Sequence, residues 1–304
     1  MSKFYDCYYN SDFSNKFRKS VDDTFSVSYN YSSPTTDIHT ALIDTCHFVV
    51  EKAKSVNKTP CVFYSGGIDS EIIILALEEA GYKINQDFHC IHGVYDNNEN
   101  SNDTAYVDKF ANEYNLDVEK IYLDGYDWYE SKECFEFCAK NNISYVTMTQ
   151  IPRLIRKMND RNYYPIIGHG DPQIYKKNGI IWHCDFEYQN TWYKFISNNN
   201  LHASTHFFRD TNDLYVNYVQ DFIKNIEPNI EYPELTFWNH DSPSLKYKIF
   251  DFYKLEHRTK FTGHEHYRTD KITQINLQLQ EHTKYTINNR LYKPVNEFIT
   301  NFKY

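Results

Sequence analysis

No stretch of this chain is apolar for long enough to cross a bilayer. The longest apolar run, residues 72–77, is six residues, against about 20 for a spanning helix. The N-terminus, Met1-Ser2-Lys3-Phe4-Tyr5-Asp6, lacks the apolar core of a signal peptide. Basic charge is also short: Lys+Arg 32 against Asp+Glu 41 leaves a formal charge of −9. Such a balance offers no sequence-independent attraction to nucleic acid, which demotes tRNA as a partner without excluding it. The seven cysteines (7, 46, 61, 90, 134, 138 and 184) form neither a secreted disulfide framework nor a Cys-x-x-Cys pair. A cytoplasmic protein with reduced thiols and no membrane partner is expected. Internal repeats and low-complexity tracts are missing as well. Aromatics are in excess, at 17% with 28 Tyr; alongside many Asn, Lys, Ile and Phe residues, this is a pattern that nucleotide bias in a genome produces without any function.

The chain is organised around Cys61-Val62-Phe63-Tyr64-Ser65-Gly66-Gly67-Ile68-Asp69-Ser70 and the apolar run after it, which Gly81 closes. This reads as a buried strand, a tight turn and a helix. Adjacent glycines admit dihedrals that a side chain forbids and allow close backbone approach. Successive N–H groups of such a turn form an anion-binding concavity, and the following helix points its positive end at the same spot. Ser65 and Ser70 add hydroxyl donors. Asp69 suits a Mg²⁺ ion between carboxylate and phosphate oxygens better than a naked phosphate. An ordinary strand-to-helix turn accounts for Gly66 and Gly67 but not for Asp69 and Ser70. The motif is neither a Walker loop, which ends in Gly-Lys-Ser/Thr, nor a Gly-x-Gly-x-x-Gly dinucleotide turn.

The 304 residues allow one large domain or two modest ones. Alternation at 25–31 predicts an edge strand. Thr36-Asp37-Ile38 offers a helix N-cap, with Ala41, Leu42, Thr45, Phe48, Val49 and Ala53 as an apolar stripe at helical spacing. Strands are then predicted at 88–94, 118–123, 144–148 and 164–167, and helices at 104–114, 128–139 and 152–158. With the strand before the 65–70 turn, this βα alternation predicts an α/β fold: a five-stranded parallel sheet with helices on both faces. Ligands of such sheets sit outside the carboxyl ends of the strands. There lies a second glycine turn, Gly168-His169-Gly170-Asp171, after the strand at 164–167.

Ser-Gly-Gly-Ile-Asp-Ser at 65–70 resembles the PP-loop of the ATP pyrophosphatases, whose loop holds the β- and γ-phosphates while the α-phosphorus is attacked. With the 168–171 turn, the resemblance narrows to the synthetase domain of asparagine synthetases and covers residues 36–178. It implies a HUP/PP-loop type fold and a site for ATP and Mg²⁺ on Ser65, Gly66, Gly67, Ile68, Asp69 and Ser70. It implies adenosine contacts at Ile91, His92 and Gly93, and a facing turn at Gly168, His169 and Gly170. Asp69 and Asp171 are the implied metal ligands and catalytic residues. Lys246 is the implied catalytic lysine, steadying pyrophosphate, with Lys248 and Lys254 as other candidates. The sequence departs from that family in three places. Pro172-Gln173 stands where Asp-Glu is expected. An acidic Asp-Glu-Pro element has no counterpart at 141–145. Only about sixty residues precede the loop, so a glutaminase domain is not expected and Cys7 is not read as a glutaminase nucleophile.

Three stretches follow: a lead-in at 1–58, an ATP-binding domain at 59–178, and a C-terminal substrate region at 179–304. In the last, 179–186 and 191–196 read as a hairpin with a four-residue connection, followed by helices at 213–226 and 245–255. Four-residue spacing pairs Cys134 with Cys138 and His202 with His206 on predicted helices, but neither pair has a further metal partner. His264-Glu265-His266 is a weak metal signal. On this reading the chain is an ATP-dependent, asparagine synthetase-like ligase that adenylates a small-molecule acceptor, releases pyrophosphate, and passes the activated group to an amine or ammonia. The alternatives are a nucleobase- or tRNA-modifying enzyme and a non-catalytic nucleotide-binding module. The absence of Cys-x-x-Cys counts against iron–sulfur and zinc-bearing tRNA-thiolating members.

Overall fold

The computed structural model describes residues 36–96, 99–177, 180–186, 191–225, 241–256, 269–283 and 290–294. The expected edge strand at 25–31, Cys7 and His264-Glu265-His266 lie outside them.

Strands β1 (Thr59–Phe63), β2 (His89–Tyr95), β3 (Val118–Leu123) and β4 (Tyr163–Ile167) form one parallel sheet in the order β3-β2-β1-β4. The central strand β1 is buried from Pro60 to Phe63, as strands covered on both faces must be. On one face lie α1 (Ile38–Ser55), α2 (Ile68–Glu79), α3 (Ser101–Tyr114), α8 (Asn212–Asn225) and α9 (Asp241–Ile249), which share the main core with the sheet. On the other, α6 (Gln150–Asp160) and α7 (Thr191–Asn198) cover Cys61, Phe63, Ile91, Ile121 and Ile167. Among the described residues the molecule is thus α/β and mostly helical, with a four-stranded parallel sheet. No described helix is long and apolar enough to cross a membrane.

The helix before β1 forms as the sequence predicts. Asp37 caps it by accepting from the Thr40 N–H at 2.9 Å, and Ala41, Leu42, Thr45, Val49 and Ala53 are buried. Helix α2 packs against both α1 and β1, leaving Ile72, Ile73, Ile74, Ala76 and Leu77 buried. With nine glycines in the chain, left-handed turns fall to asparagine, which tolerates that region better than other side chains. Asn57, Asn85, Asn115, Asn142, Asn162 and Asn200 all have positive φ, and Asn115 and Asn142 end α3 and α5 (Lys132–Asn141).

Four expectations need correction. Residues 144–148 are not a fifth strand. They lead into a 3-10 turn, Val146–Thr149, that runs on into α6. The Thr149 hydroxyl donates to the Val146 carbonyl, and the Val146 N–H donates to Asn276 on α10 (Asp270–Thr283). The outer edge of β4 is meanwhile taken by Ser204, whose backbone exchanges bonds with Pro165 and Ile167. The hairpin also lies elsewhere. Strand β5 (Gln173–Lys177) pairs antiparallel with β6 (Ile180–Phe186), and β7 (Arg290–Pro294) pairs along the far side of β6. Residues 191–198 are helical, because Trp192 and Ile196 at i and i+4 pack on the second core while Phe195 at i+3 is buried against Phe137. The helix expected at 128–139 is two, α4 (Tyr126–Tyr129) and α5, since the Ser131 side chain caps the Cys134 N–H and restarts the helix. His202 and His206 lie on no helix: they flank Ser204 in the segment beside β4.

Candidate functional site

The strand order reverses between β1 and β4, since β2 and β3 extend the sheet to one side of β1 and β4 lies on the other. Open parallel sheets bind ligands at such a reversal, outside the carboxyl ends. Both glycine turns sit there, one after each strand.

After β1 the last ladder bond is Tyr64 N–H to the Ile91 carbonyl, 2.7 Å. Gly66 then takes φ +73°, and a Cβ on it would stand 2.6 Å from the Asp103 carbonyl oxygen of α3. Only glycine fits there. Gly67 begins α2 without a side-chain cap, so the helix meets the turn with its N-terminal end uncovered by any side chain of its own. Ser65 is exposed, Ile68 half-buried and Ser70 buried. The Ser70 hydroxyl donates to the Gly67 carbonyl at 2.9 Å and accepts from the Ser65 N–H at 3.3 Å. It locks the turn rather than facing outward as a donor.

The second turn packs directly on the first. A Cβ on Gly168 would stand 3.1 Å from Asp69 C, Asp69 Cβ and Ser70 N. Gly170 has φ +104° and lies against His206 and Arg209. The Gly170 N–H donates to Nδ1 of His169 at 2.8 Å, which leaves the ring proton of a neutral imidazole on Nε2. Burial, with help from Arg209 and Lys246 and against Asp171, pushes the His169 pKa down to about 4. His169 is therefore neutral at pH 7.

Lys246, from α9, joins the two turns. Its ammonium donates to Asp69 Oδ1 at 2.8 Å, to Asp69 Oδ2 at 3.0 Å, and to Asp171 Oδ2. These pairs span 177 and 75 residues of sequence. Side-chain exposure is 10% for Lys246, 8% for Asp171 and 26% for Asp69, so Asp69 is the open end of the cluster. Burial works against the lysine charge, but the Asp171 and Asp69 carboxylates outweigh it and hold the pKa above the ordinary lysine range. Lys248 and Lys254 are exposed.

Two further side chains support Asp171, and neither was legible as functional. The Tyr218 hydroxyl donates to Asp171 Oδ1 at 3.2 Å. Burial first, then Asp171 and Asp69, raise its pKa well above that of free tyrosine, so it stays a donor. Tyr218 lies on the buried stripe of α8 and reads as plain core. Arg209, fully buried, donates from Nε to the Gly170 carbonyl at 2.9 Å and from its fork to the Asp171 carbonyl at 3.4 Å. It fixes the backbone of the turn.

The end of β2 is less accessible than the sequence suggests. Ile91 is inside the second core. His92 is buried between the Tyr64 carbonyl (2.8 Å) and the Thr104 hydroxyl (3.0 Å). Gly93 makes room for Leu123, whose Cδ1 would stand 2.9 Å from an added Cβ. Beyond the end of β1, the Gly93 carbonyl and Tyr95 N–H are both satisfied by the Asn100 side-chain amide at 2.8 Å each. The structure thus brings together Gly66, Gly67, Asp69, Gly168, Gly170, Asp171 and Lys246, and sets Ile91 and His92 into the interior.

Mg²⁺ at nucleotide sites takes one or two carboxylates, the remainder being water and phosphate oxygens. Asp69 and Asp171 fit that donor set. A protein-only cage is not formed, since no group of three or more His, Cys, Asp or Glu residues is poised for a metal among the described residues. The six described cysteines, Cys134 and Cys138 among them, are free and buried. No protein-family model matches the chain, and no curated protein matches its sequence.

Proposed function

We propose that this chain is an ATP pyrophosphatase-type ligase similar to the synthetase domain of asparagine synthetases. The observation that carries the reading is the convergence of Asp69, Asp171 and Lys246 on the uncapped start of α2. Two carboxylates and an ammonium from three distant segments meet at the sheet reversal, beside a turn whose Gly66 permits no side chain. The polyphosphate of ATP lies along the 65–70 turn, where backbone N–H groups and the helix end favour negative charge. Mg²⁺ on Asp69 and Asp171 would neutralise charge developing on the leaving pyrophosphate. A carboxylate or amide oxygen of the acceptor attacks the α-phosphorus. The bond to pyrophosphate breaks, and an amine or ammonia then displaces AMP. Lys246 steadies pyrophosphate, while Tyr218 and Arg209 hold Asp171 and its turn in place. The protein contributes positioning and charge, as phosphoryl-transfer chemistry requires.

The test is pyrophosphate release from Mg·ATP with panels of carboxylate and amide acceptors and ammonia, with mass detection of AMP-linked adducts and GTP as control. Release with ATP, lost in Asp69→Ala, is the expected result, and the adduct identifies the acceptor, nucleobase and tRNA included. A second reading, a nucleotide-binding module without chemistry, is favoured by Pro172-Gln173: Gln173 is buried, and its Oε1 has no hydrogen-bond partner. ATP binding with no pyrophosphate release from any acceptor would select it. Absence of both overturns the two readings together.

A further inference from the structure

We propose that Lys246 is a displaceable counter-cation, holding Asp69 and Asp171 together until a divalent cation takes the same carboxylates. The inference rests on the metal-binding part of the reading above and on no nucleotide contact.

The hydrogen bonds account for all four carboxylate oxygens. Both oxygens of Asp69 and Oδ2 of Asp171 accept from Lys246, and Oδ1 of Asp171 accepts from Tyr218. The point between the two carboxylates, which Mg²⁺ would take, therefore holds an ammonium. The two cations repel when they share a ligand set, and the carboxylates that suit one must be taken from the other. Size sets the direction of movement. Acceptors around a tetrahedral ammonium stand about 4.5 Å apart at ordinary hydrogen-bond lengths, whereas oxygens around Mg²⁺ stand about 3–4 Å apart. Exchange therefore draws the Asp69 and Asp171 carboxylates together by on the order of 1 Å through side-chain rotation, since the two turns are already in backbone contact. Gly168 already packs on Asp69 and leaves no side chain in the way.

The lysine moves while its helix stays. Leu245, Ile249 and Phe250 are buried in the main core and fix α9. Phe250 stands edge-on to Tyr218 at 5.2 Å and is tilted against Phe208 at 5.9 Å. The mobile part is the four-carbon stem, which gives an ammonium its reach. Its release leaves a positive charge near the turn at the moment the metal arrives, so that metal occupancy and the availability of a phosphate-binding lysine are one event. Metal-free, the site is closed by its own lysine.

The experiment is a titration with Mn²⁺, a paramagnetic substitute for Mg²⁺, without nucleotide, on wild type, Lys246→Met and Lys246→Arg. Lys246→Met is expected to bind Mn²⁺ tighter by on the order of tenfold, the factor by which a competing state populated about nine-tenths of the time weakens binding. Lys246→Arg should bind as weakly as wild type. Equal affinity for wild type and Lys246→Met overturns the proposal. Removing the lysine leaves two carboxylates uncompensated, so a second measurement uses the wild type alone: amine labelling of Lys246 with and without saturating Mn²⁺. Labelling that rises with metal supports exchange, and labelling unchanged by metal overturns it. Nucleotide is in neither experiment. A chain that exchanges lysine for metal but fails to bind ATP would lose the ligase reading and keep this one, and the converse outcome would do the reverse.

Discussion

Gly168 lies so close to Asp69 that a single added carbon on the glycine would stand 3.1 Å from both the carbonyl carbon and the Cβ of the aspartate. Two turns that follow different strands are thereby in backbone contact, and the position of one carboxylate depends on the smallness of a residue 99 positions later, from 69 to 168.

Gly168→Ala tests that dependence. The added methyl pushes the first turn of α2 by a few tenths of an ångström, against a well-packed core that resists movement. Mg·ATP affinity should fall by about tenfold or more, the effect of about 1.4 kcal/mol, while the melting temperature falls modestly. Calorimetric titration beside thermal melts separates the two. Unchanged affinity would mean that the turns are not mechanically linked.

Gly66→Ala should act on the fold itself. Its φ of +73° and the 2.6 Å approach to the Asp103 carbonyl combine strain with a clash against backbone. The left-handed conformation alone costs about 1–2 kcal/mol for a residue with a Cβ, and the clash adds to it. Urea unfolding should show a markedly lower midpoint.

Asp171→Ala and Asp69→Ala should differ in stability although both weaken metal-dependent ATP binding. Asp171 is the buried partner of Lys246 and Asp69 the more open one. Removing one partner of a buried pair costs about 3–5 kcal/mol, which is the range expected for Asp171→Ala. For Asp69→Ala the loss should be smaller, because Lys246 keeps Asp171. Equal losses would place the two carboxylates on the same footing.

Tyr218→Phe deletes one hydroxyl from the core without changing its shape. The protein should stay folded, lose about 1.5–3 kcal/mol as hydrogen bonds to charged groups do, and require more Mg²⁺ for half-maximal ATP binding. Its signature is the metal dependence, which a purely structural role would leave alone.

Asp210 supplies a pH test. Burial pushes its carboxyl up to about 7, with the Ser204 hydroxyl and Lys52 opposing. A carboxyl with a raised folded pKa favours the fold while protonated, so its contribution is full below about 3.8, the ordinary carboxylate value, and declines as pH rises toward 7. His169, depressed to about 4, acts in the opposite direction: its contribution is full above about 6.5 and is lost as pH falls toward 4. Asp210→Asn should therefore gain stability relative to wild type as pH climbs from 4 to 7. Melting curves at several pH values check the sign, and a flat difference would remove the titration.

The turns were legible because β1 and β4 are short continuous apolar runs punctuated by glycine, and buried parallel strands carry that pattern. The failures trace to contacts made across the chain. Residues 145–147 are tyrosine, valine and threonine, which favour a strand, yet the Thr149 hydroxyl, Asn276 and Ser204 take the bonds or the sheet edge that a strand would need. At 191–196 the sequence predicts a hairpin arm, and the helix follows from contacts made across the chain: Trp192 and Ile196 pack on the second core and Phe195 against Phe137. Lys246 stood among three candidate lysines without any local mark. What distinguishes it is the burial of Leu245 and Ile249 on either side of it. Tyr218 and Arg209 carry no signal at all, since a buried tyrosine and an arginine after two phenylalanines read as core and surface.

The Lys246 cluster bears on how the molecule assembles. Its bonds join residues 177 and 75 positions apart, and contacts of that span form only after long loops have closed. A nascent chain that has made both glycine turns but not yet α9 holds two opposed carboxylates with no counter-ion between them. The sheet and its turns are thus left electrostatically unfinished until α9 docks. A chain cut between the 168–171 turn and α9 should inherit the carboxylates without their lysine and need either high salt or a divalent ion to hold the turns together.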